Sequence, residues 1–157
     1  MASIKGISFK NLKKFKDHEN IDIYQGNICF NGIKKGFWSQ DSWGGPDRFD
    51  FDTKELDEVA KEFYGPDSIY GLDCLLYEIL VLADYEKQYK KAVNAGYASI
   101  VIMTDGYKES YIKVPQDTDK DVILKRCDKY IKDFEKASKY KDKIKTLVFT
   151  DLKDFIQ

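Results

Sequence analysis

A chain of 157 residues, 43% apolar and 34% charged, has the length of a single domain and enough apolar content to bury a core, which excludes a disordered polymer. Its three cysteines, Cys29, Cys74 and Cys127, are far apart and show no Cys-x-x-Cys spacing, which excludes zinc-ribbon and thioredoxin chemistry. The net charge is −1, but the cations are almost all lysine, with only Arg48 and Arg126 as guanidinium groups, and such a chain is poorly equipped for base-specific readout of nucleic acid.

In chain order, residues 4–10 alternate weakly and predict a strand, and residues 10–16 a basic turn. Two β-prone runs, 21–30 and 33–39, flank Asn31-Gly32, the strongest short signal for a two-residue type I′ hairpin. Paired through that loop, Phe30 faces Ile33 and Gly26 falls opposite Phe37. This register puts Ile28, Phe30, Ile33 and Phe37 on one face, the expected core side, and turns Trp38 to the other face beside Gln25. Residues 40–47 read as a loop and RFDFD at 48–52 as a short half-buried strand.

Asp52 with Glu55 three positions on predicts a capped helix start. Leu56, Val59, Ala60 and Phe63 then form the stripe of an amphipathic helix, stopped by Gly65-Pro66. Asp67 or Ser68 is placed to cap a second helix, whose run LDCLLYEILVLAD is apolar almost all round and predicts the central buried helix, continuing through Tyr85, Tyr89 and Val93 to Gly96. Residues 97–104 predict a buried strand, turned at Asp105-Gly106 into a partner strand ended by Pro115. A lysine-rich helix from Asp119 has an apolar face of Ile123, Cys127, Tyr130 or Ile131, Phe134 and Ala137. TLVFTDLKDFI closes the chain as a strand. The order βββ(β)-αα-ββ-α-β keeps strands in hairpins, apart from helices. It predicts an α+β fold, an antiparallel hairpin-built sheet packed against three helices in a single domain over 1–157.

No recognisable catalytic or cofactor motif is present: no GxSxG, no GxxxxGK[ST], no GxGxxG. His18, the only histidine, sits in a polar turn without a nucleophile partner in a known arrangement. No catalytic residue, cofactor or metal ligand is therefore assigned. The acids Asp41, Asp47, Asp50 and Asp52 supply hard oxygen ligands, so a small metal-dependent phosphodiesterase or nuclease is an alternative reading. They lack the order of an EF-hand loop, and the Pro46-Asp47 and Asp52-Thr53-Lys54 pieces are too close together for a PD-(D/E)xK nuclease. A third reading is a ligand-sequestering protein with a pocket around Trp38, Trp43 and tyrosines. The lysines of the last helix alternate with acids at i, i+4 spacing, the pattern of an exposed helix rather than a nucleic-acid surface.

The stretch GFWSQDSWGGPDRFDFD at 36–52 concentrates both tryptophans, Arg48 and four aspartates. Trp and Arg are the residue types that most often anchor interfaces, and Gly44-Gly45-Pro46 limits the ordering cost of binding. Residues 41–86 carry a large excess of acidic over basic side chains, which the rest of the chain offsets. The expected partner surface is Trp38, Asp41, Trp43, Asp47, Arg48, Asp50, Asp52, Glu55 and Glu58. Its expected partner is a basic, nucleic-acid-handling protein, with no direct contact to nucleic acid or membrane. The absence of an opening apolar segment and of an 18-residue apolar run sets cytoplasmic location as the expectation.

The run QGNICFNGIKKGFWSQDSWGGP at 25–46 resembles stretches found in small proteins of phages and mobile elements of low-GC bacteria. Many small acidic proteins of that kind inhibit host defences, anti-CRISPR proteins among them. The resemblance implies a non-enzymatic inhibitor, and carries no catalytic residue over to this chain.

Overall fold

A computed structural model describes residues 1–157, which form two compact units: residues 1–84 with 155–157, and residues 85–154. All pairs of strands are antiparallel and the helices stand apart from the hairpins, so the class is α+β. The strands divide between a five-stranded and a three-stranded sheet.

In the first unit the strands β1 (Ser3–Ile4), β2 (Ile7–Lys16), β3 (Asp22–Phe30), β4 (Ile33–Ser39) and β5 (Arg48–Phe49) lie side by side in chain order. The Asn31-Gly32 turn forms as the sequence predicts, with φ of 49° and 80°, the positive values a type I′ turn requires. Lys5-Gly6 makes a second turn of the same kind, at 48° and 80°.

Two expectations fail in this sheet. Residues 10–16 are not a turn but the outer half of β2. Their side chains mostly face solvent, so they show no apolar alternation; the strand is held by its ladder with β3 and by cross-strand pairs. Lys14 and Lys16 both reach Asp22 at 2.6 Å, and Lys14 Nζ lies 5.6 Å from the Tyr24 ring centre. The second failure concerns β4. Its ladder begins in the hairpin register, Phe30 with Ile33 and Cys29 with Lys34, and then slips, so that Ile28 pairs with Gly36 and Gly26 with Trp38. Lys35 is the extra residue of a β-bulge, and a one-residue slip exchanges the faces of everything beyond it. Trp38 is therefore fully buried, its ring 4.9 Å from that of Phe9, and Phe37 is exposed; Ile33, expected on the core side, lies before the slip and is exposed at the hairpin end.

Helix α1 (Lys54–Tyr64) buries Leu56 and Ala60 and ends at Gly65, whose φ of 97° favours glycine. The expected capping box is not made. Asp52 accepts a hydrogen bond from the Lys54 N–H, and Glu55 pairs instead with Lys35. Helix α2 (Leu72–Asn94) starts after Gly71 rather than at Asp67 or Ser68, whose Oγ accepts from the Tyr70 N–H in a tight turn. Before the unit boundary at Asp84, α2 buries Leu72, Leu75, Leu76, Ile79, Leu80 and Leu82 and leaves Asp73, Tyr77 and Glu78 exposed. No helix is long and apolar enough to cross a membrane.

In the second unit β6 (Ser99–Thr104) lies between β7 (Glu109–Val114) and β8 (Lys145–Phe149). Helix α3 (Lys120–Ala137) is capped by Asp119, which accepts from the N–H groups of Asp121 and Val122. It contributes Ile123, Cys127, Ile131 and Phe134 to a core with Val101, Met103, Ile112, Val114 and Val148. Tyr130 and Ala137 stay exposed. The turn after β6 is anchored by Asp105, buried to 2% exposure, which accepts from the N–H groups of Tyr107 and Lys108 and from the Ser138 hydroxyl at 2.5 Å. The Ser138 hydroxyl, ahead of the backbone donors, lowers the Asp105 carboxyl below the ordinary carboxylate value. The last predicted strand ends at Phe149, and residues 152–155 form a 3-10 turn.

Candidate functional site

The loop between β4 and β5 is shaped by one carboxylate. Asp41 accepts from the N–H groups of Trp43 at 3.1 Å and Gly45 at 2.9 Å and pairs with Arg48 at 2.8 Å. These donors, the Gly45 amide first, hold its pKa below the ordinary carboxylate value. The base of the loop is fastened to β3, since Gln40 Oε1 accepts from the Tyr24 N–H at 3.0 Å and the Gln40 N–H donates to the Tyr24 carbonyl at 3.0 Å. The result presents Trp43 to solvent, 75% exposed. One face of its indole is covered by His18, stacked at 4.2 Å, and His18 Nδ1 lies 2.8 Å from the Ser42 carbonyl oxygen. His18, a bare turn residue in the sequence, thus acts as a prop for the exposed tryptophan.

A carboxylate with a lowered folded pKa contributes stability that is present above its unfolded value of 3.8 and is lost as pH falls through the folded value. The loop around Asp41 is accordingly expected to loosen in acid before the sheet does. Amide exchange of Trp43 and Gly45 checks this: protection should fall below pH 4 in the wild type, and Asp41→Asn should give low protection at every pH.

The other expected site residues have separate occupations. Trp38 is withdrawn from the partner surface, because the bulge buries it. Its Nε1–H donates to Asp47 at 2.7 Å. Asp47 is half-buried, and burial pushes its pKa up against the relief given by that hydrogen bond. Asp50 accepts from the Phe37 N–H at 2.6 Å. The Lys54 amide, ahead of its ammonium, lowers the pKa of Asp52. Glu55 pairs with Lys35 and Glu58 with Lys61. Asp41, Asp47, Asp50 and Asp52 thus each answer a different donor, and no group of three or more His, Cys, Asp or Glu side chains is placed to hold a metal ion. Of the expected surface, Trp43, Arg48, Asp50, Asp52, Glu55 and Glu58 remain exposed, with Asp41 and Asp47 partly so.

Beside the loop, within the same unit, lies an open cleft of about 610 Å³ that the sequence did not reveal. Gln40 and Asp47 come from the loop side. Tyr64 comes from the end of α1, Tyr70 from the turn, and Asp73, Cys74, Tyr77 and Glu78 from the start of α2. Tyr64 donates to Glu78 at 2.8 Å, and its ring centre lies 5.5 Å from that of Tyr70. Burial, then the Glu78 bond, raises the Tyr64 pKa far above the ordinary phenol value, so it remains a neutral donor. No lysine or arginine lines the cleft. A weak sequence signal existed: Asp73 with Tyr77 and Cys74 with Glu78 fall at i, i+4 on a helix otherwise apolar, marking one polar strip.

Comparisons with protein-family models, with curated proteins and with solved structures find no match for this chain.

Proposed function

We propose that this protein is a non-enzymatic binding protein that docks onto a basic, nucleic-acid-handling protein through the Trp43 loop and the acidic cleft beside it. The observation that carries this reading is Trp43: a large aromatic side chain held out in solvent by a hydrogen-bonded loop and a stacked histidine, which spares it the ordering cost that a floppy anchor would incur on binding. Carboxylates around it supply the complementary charge for a basic surface. By its resemblance at 25–46, the proposal extends to an inhibitor of a host defence encoded by a phage or mobile element, acting in the cytoplasm.

The test is affinity capture from nuclease-treated bacterial lysate. A basic protein retained by the wild type and released by salt, but not retained by Trp43→Ala of unchanged thermal midpoint, is the expected result. Equal retention by the variant overturns the proposal. The substitution is made at Trp43 alone, because changing Asp47 would strip Trp38 of its acceptor and confuse lost binding with lost folding. A second reading, sequestration of a small molecule, draws on the cleft, whose volume lies in the range of ligand sites. A stoichiometric compound in native mass spectra of the purified protein would favour it.

A further inference from the structure

The cleft is more than a group of acids. Three tyrosines wall it, Tyr70 and Tyr77 both more than half exposed at 55% and 64%. Three carboxylates, those of Asp47, Asp73 and Glu78, enter the same space. Asp73 and Glu78 take part in no ion pair, whereas Asp41, Asp52, Glu55 and Glu58 of the loop and α1 each pair with a lysine or arginine of the chain. Glu78 uses one oxygen to accept from Tyr64, which fixes it against an aromatic wall and leaves its charge uncompensated. Electron-rich ring faces beside uncompensated carboxylates attract a cation from both sources at once, by quadrupole and by charge.

We propose, resting on the docking reading above, that this cleft receives an arginine side chain of the partner protein. A guanidinium is flat enough to lie against the Tyr64 and Tyr70 rings. It is forked, so it can donate to Glu78 and Asp73 while stacked, and it sheds water more readily than an ammonium. The tilt of 48° between the Tyr64 and Tyr70 rings makes a corner rather than a slot, which suits a planar group entering from the open side. Lysine, a strongly hydrated point charge, gains less from such a corner.

N-acetyl-arginine amide is the probe, titrated into the full chain while the ring resonances of Tyr64, Tyr70 and Tyr77 are followed by NMR. Saturable shifts at these rings in the millimolar range are expected, at least tenfold weaker with the neutral citrulline analogue and weaker with the lysine analogue. Asp73→Asn combined with Glu78→Gln is expected to weaken the arginine response severalfold at an unchanged thermal midpoint, since both groups are exposed and the amide oxygen introduced by Glu78→Gln can still accept from Tyr64. Equal responses to arginine and citrulline, or to arginine and lysine, or no saturable response, overturn the proposal. Undiminished capture of the partner by the double variant overturns the assignment to a partner's arginine. The probe needs no partner, and Trp43→Ala should leave its binding intact, so failure of the docking reading and failure of the arginine site are seen separately.

Discussion

Trp38→Ala is expected to destabilise the protein by about 3–5 kcal/mol, the cost of deleting a fully buried indole from a packed core. Trp43→Ala, five positions on, is expected to change stability by less than about 0.5 kcal/mol, because its side chain is mostly in water. Urea denaturation of the two variants, followed by circular dichroism, makes the comparison. Comparable losses would mean that Trp43 is packed against the sheet. Trp38→Phe isolates the hydrogen bond. It keeps most of the apolar volume but takes the Nε1–H from Asp47, whose pKa burial already raises. Without the donor that carboxyl is raised further. A carboxylate with a raised folded pKa weakens the fold in full at pH above that value, and the penalty is relieved as pH falls from there to the unfolded value of 3.8. The deficit of Trp38→Phe should therefore shrink as pH falls through the folded value of Asp47, and a pH-independent deficit would rule out this account.

Gly36→Ala is the second large effect. Gly36 is buried opposite Ile28, one position after the bulge. A Cβ there would overlap Asp50 Oδ1 and the Phe51 ring. Neither gives way freely, because Asp50 is bound to the Phe37 N–H and Phe51 packs edge-on against Phe49 at 5.7 Å. Overpacking of this kind costs about 1–3 kcal/mol. Since the displaced residues directly follow β5, the substitution should also loosen the Trp43 loop. Raised amide exchange at Phe37 and Arg48, together with a lower urea midpoint, is the expected result. A variant as stable as the wild type would show that Phe51 can move aside without loss. Gly32→Ala, at a turn open to solvent, is a useful control for the cost of positive φ without overlap.

The partner surface read from the sequence and the one in the structure share the loop but differ in their anchor. Both tryptophans qualified by residue type; a single bulge residue, Lys35, turned Trp38 into the core, and the Asp41-shaped loop holds Trp43 out. The carboxylates looked like one acidic patch because they are near in sequence. In the fold they are mostly consumed as acceptors for backbone and indole N–H groups. Two further carboxylates outside any ion pair, Asp73 and Glu78, lie more than twenty residues from Asp50 along the chain and are brought beside the loop only by the packing of α1 and α2 within the first unit.

What the sequence by itself determined are the features whose causes are local. The Asn31-Gly32 turn needs positive φ at two residues that tolerate it. The stop at Gly65-Pro66, the helix start at Asp119 and the apolar course of α2 each depend on a few neighbouring side chains. Together they sufficed for the α+β class. Only the tertiary structure decided the rest, for reasons that act across distance. Strand β2 continues through residues 10–16 because β3 offers it a hydrogen-bonding edge and Asp22 pairs with its lysines. Register in β4 is a property of the pair of strands, and a bulge leaves no mark in the pattern of one of them. The cleft is assembled from a loop, a helix end, a turn and a helix start, so its three tyrosines and three carboxylates meet only after those elements have packed.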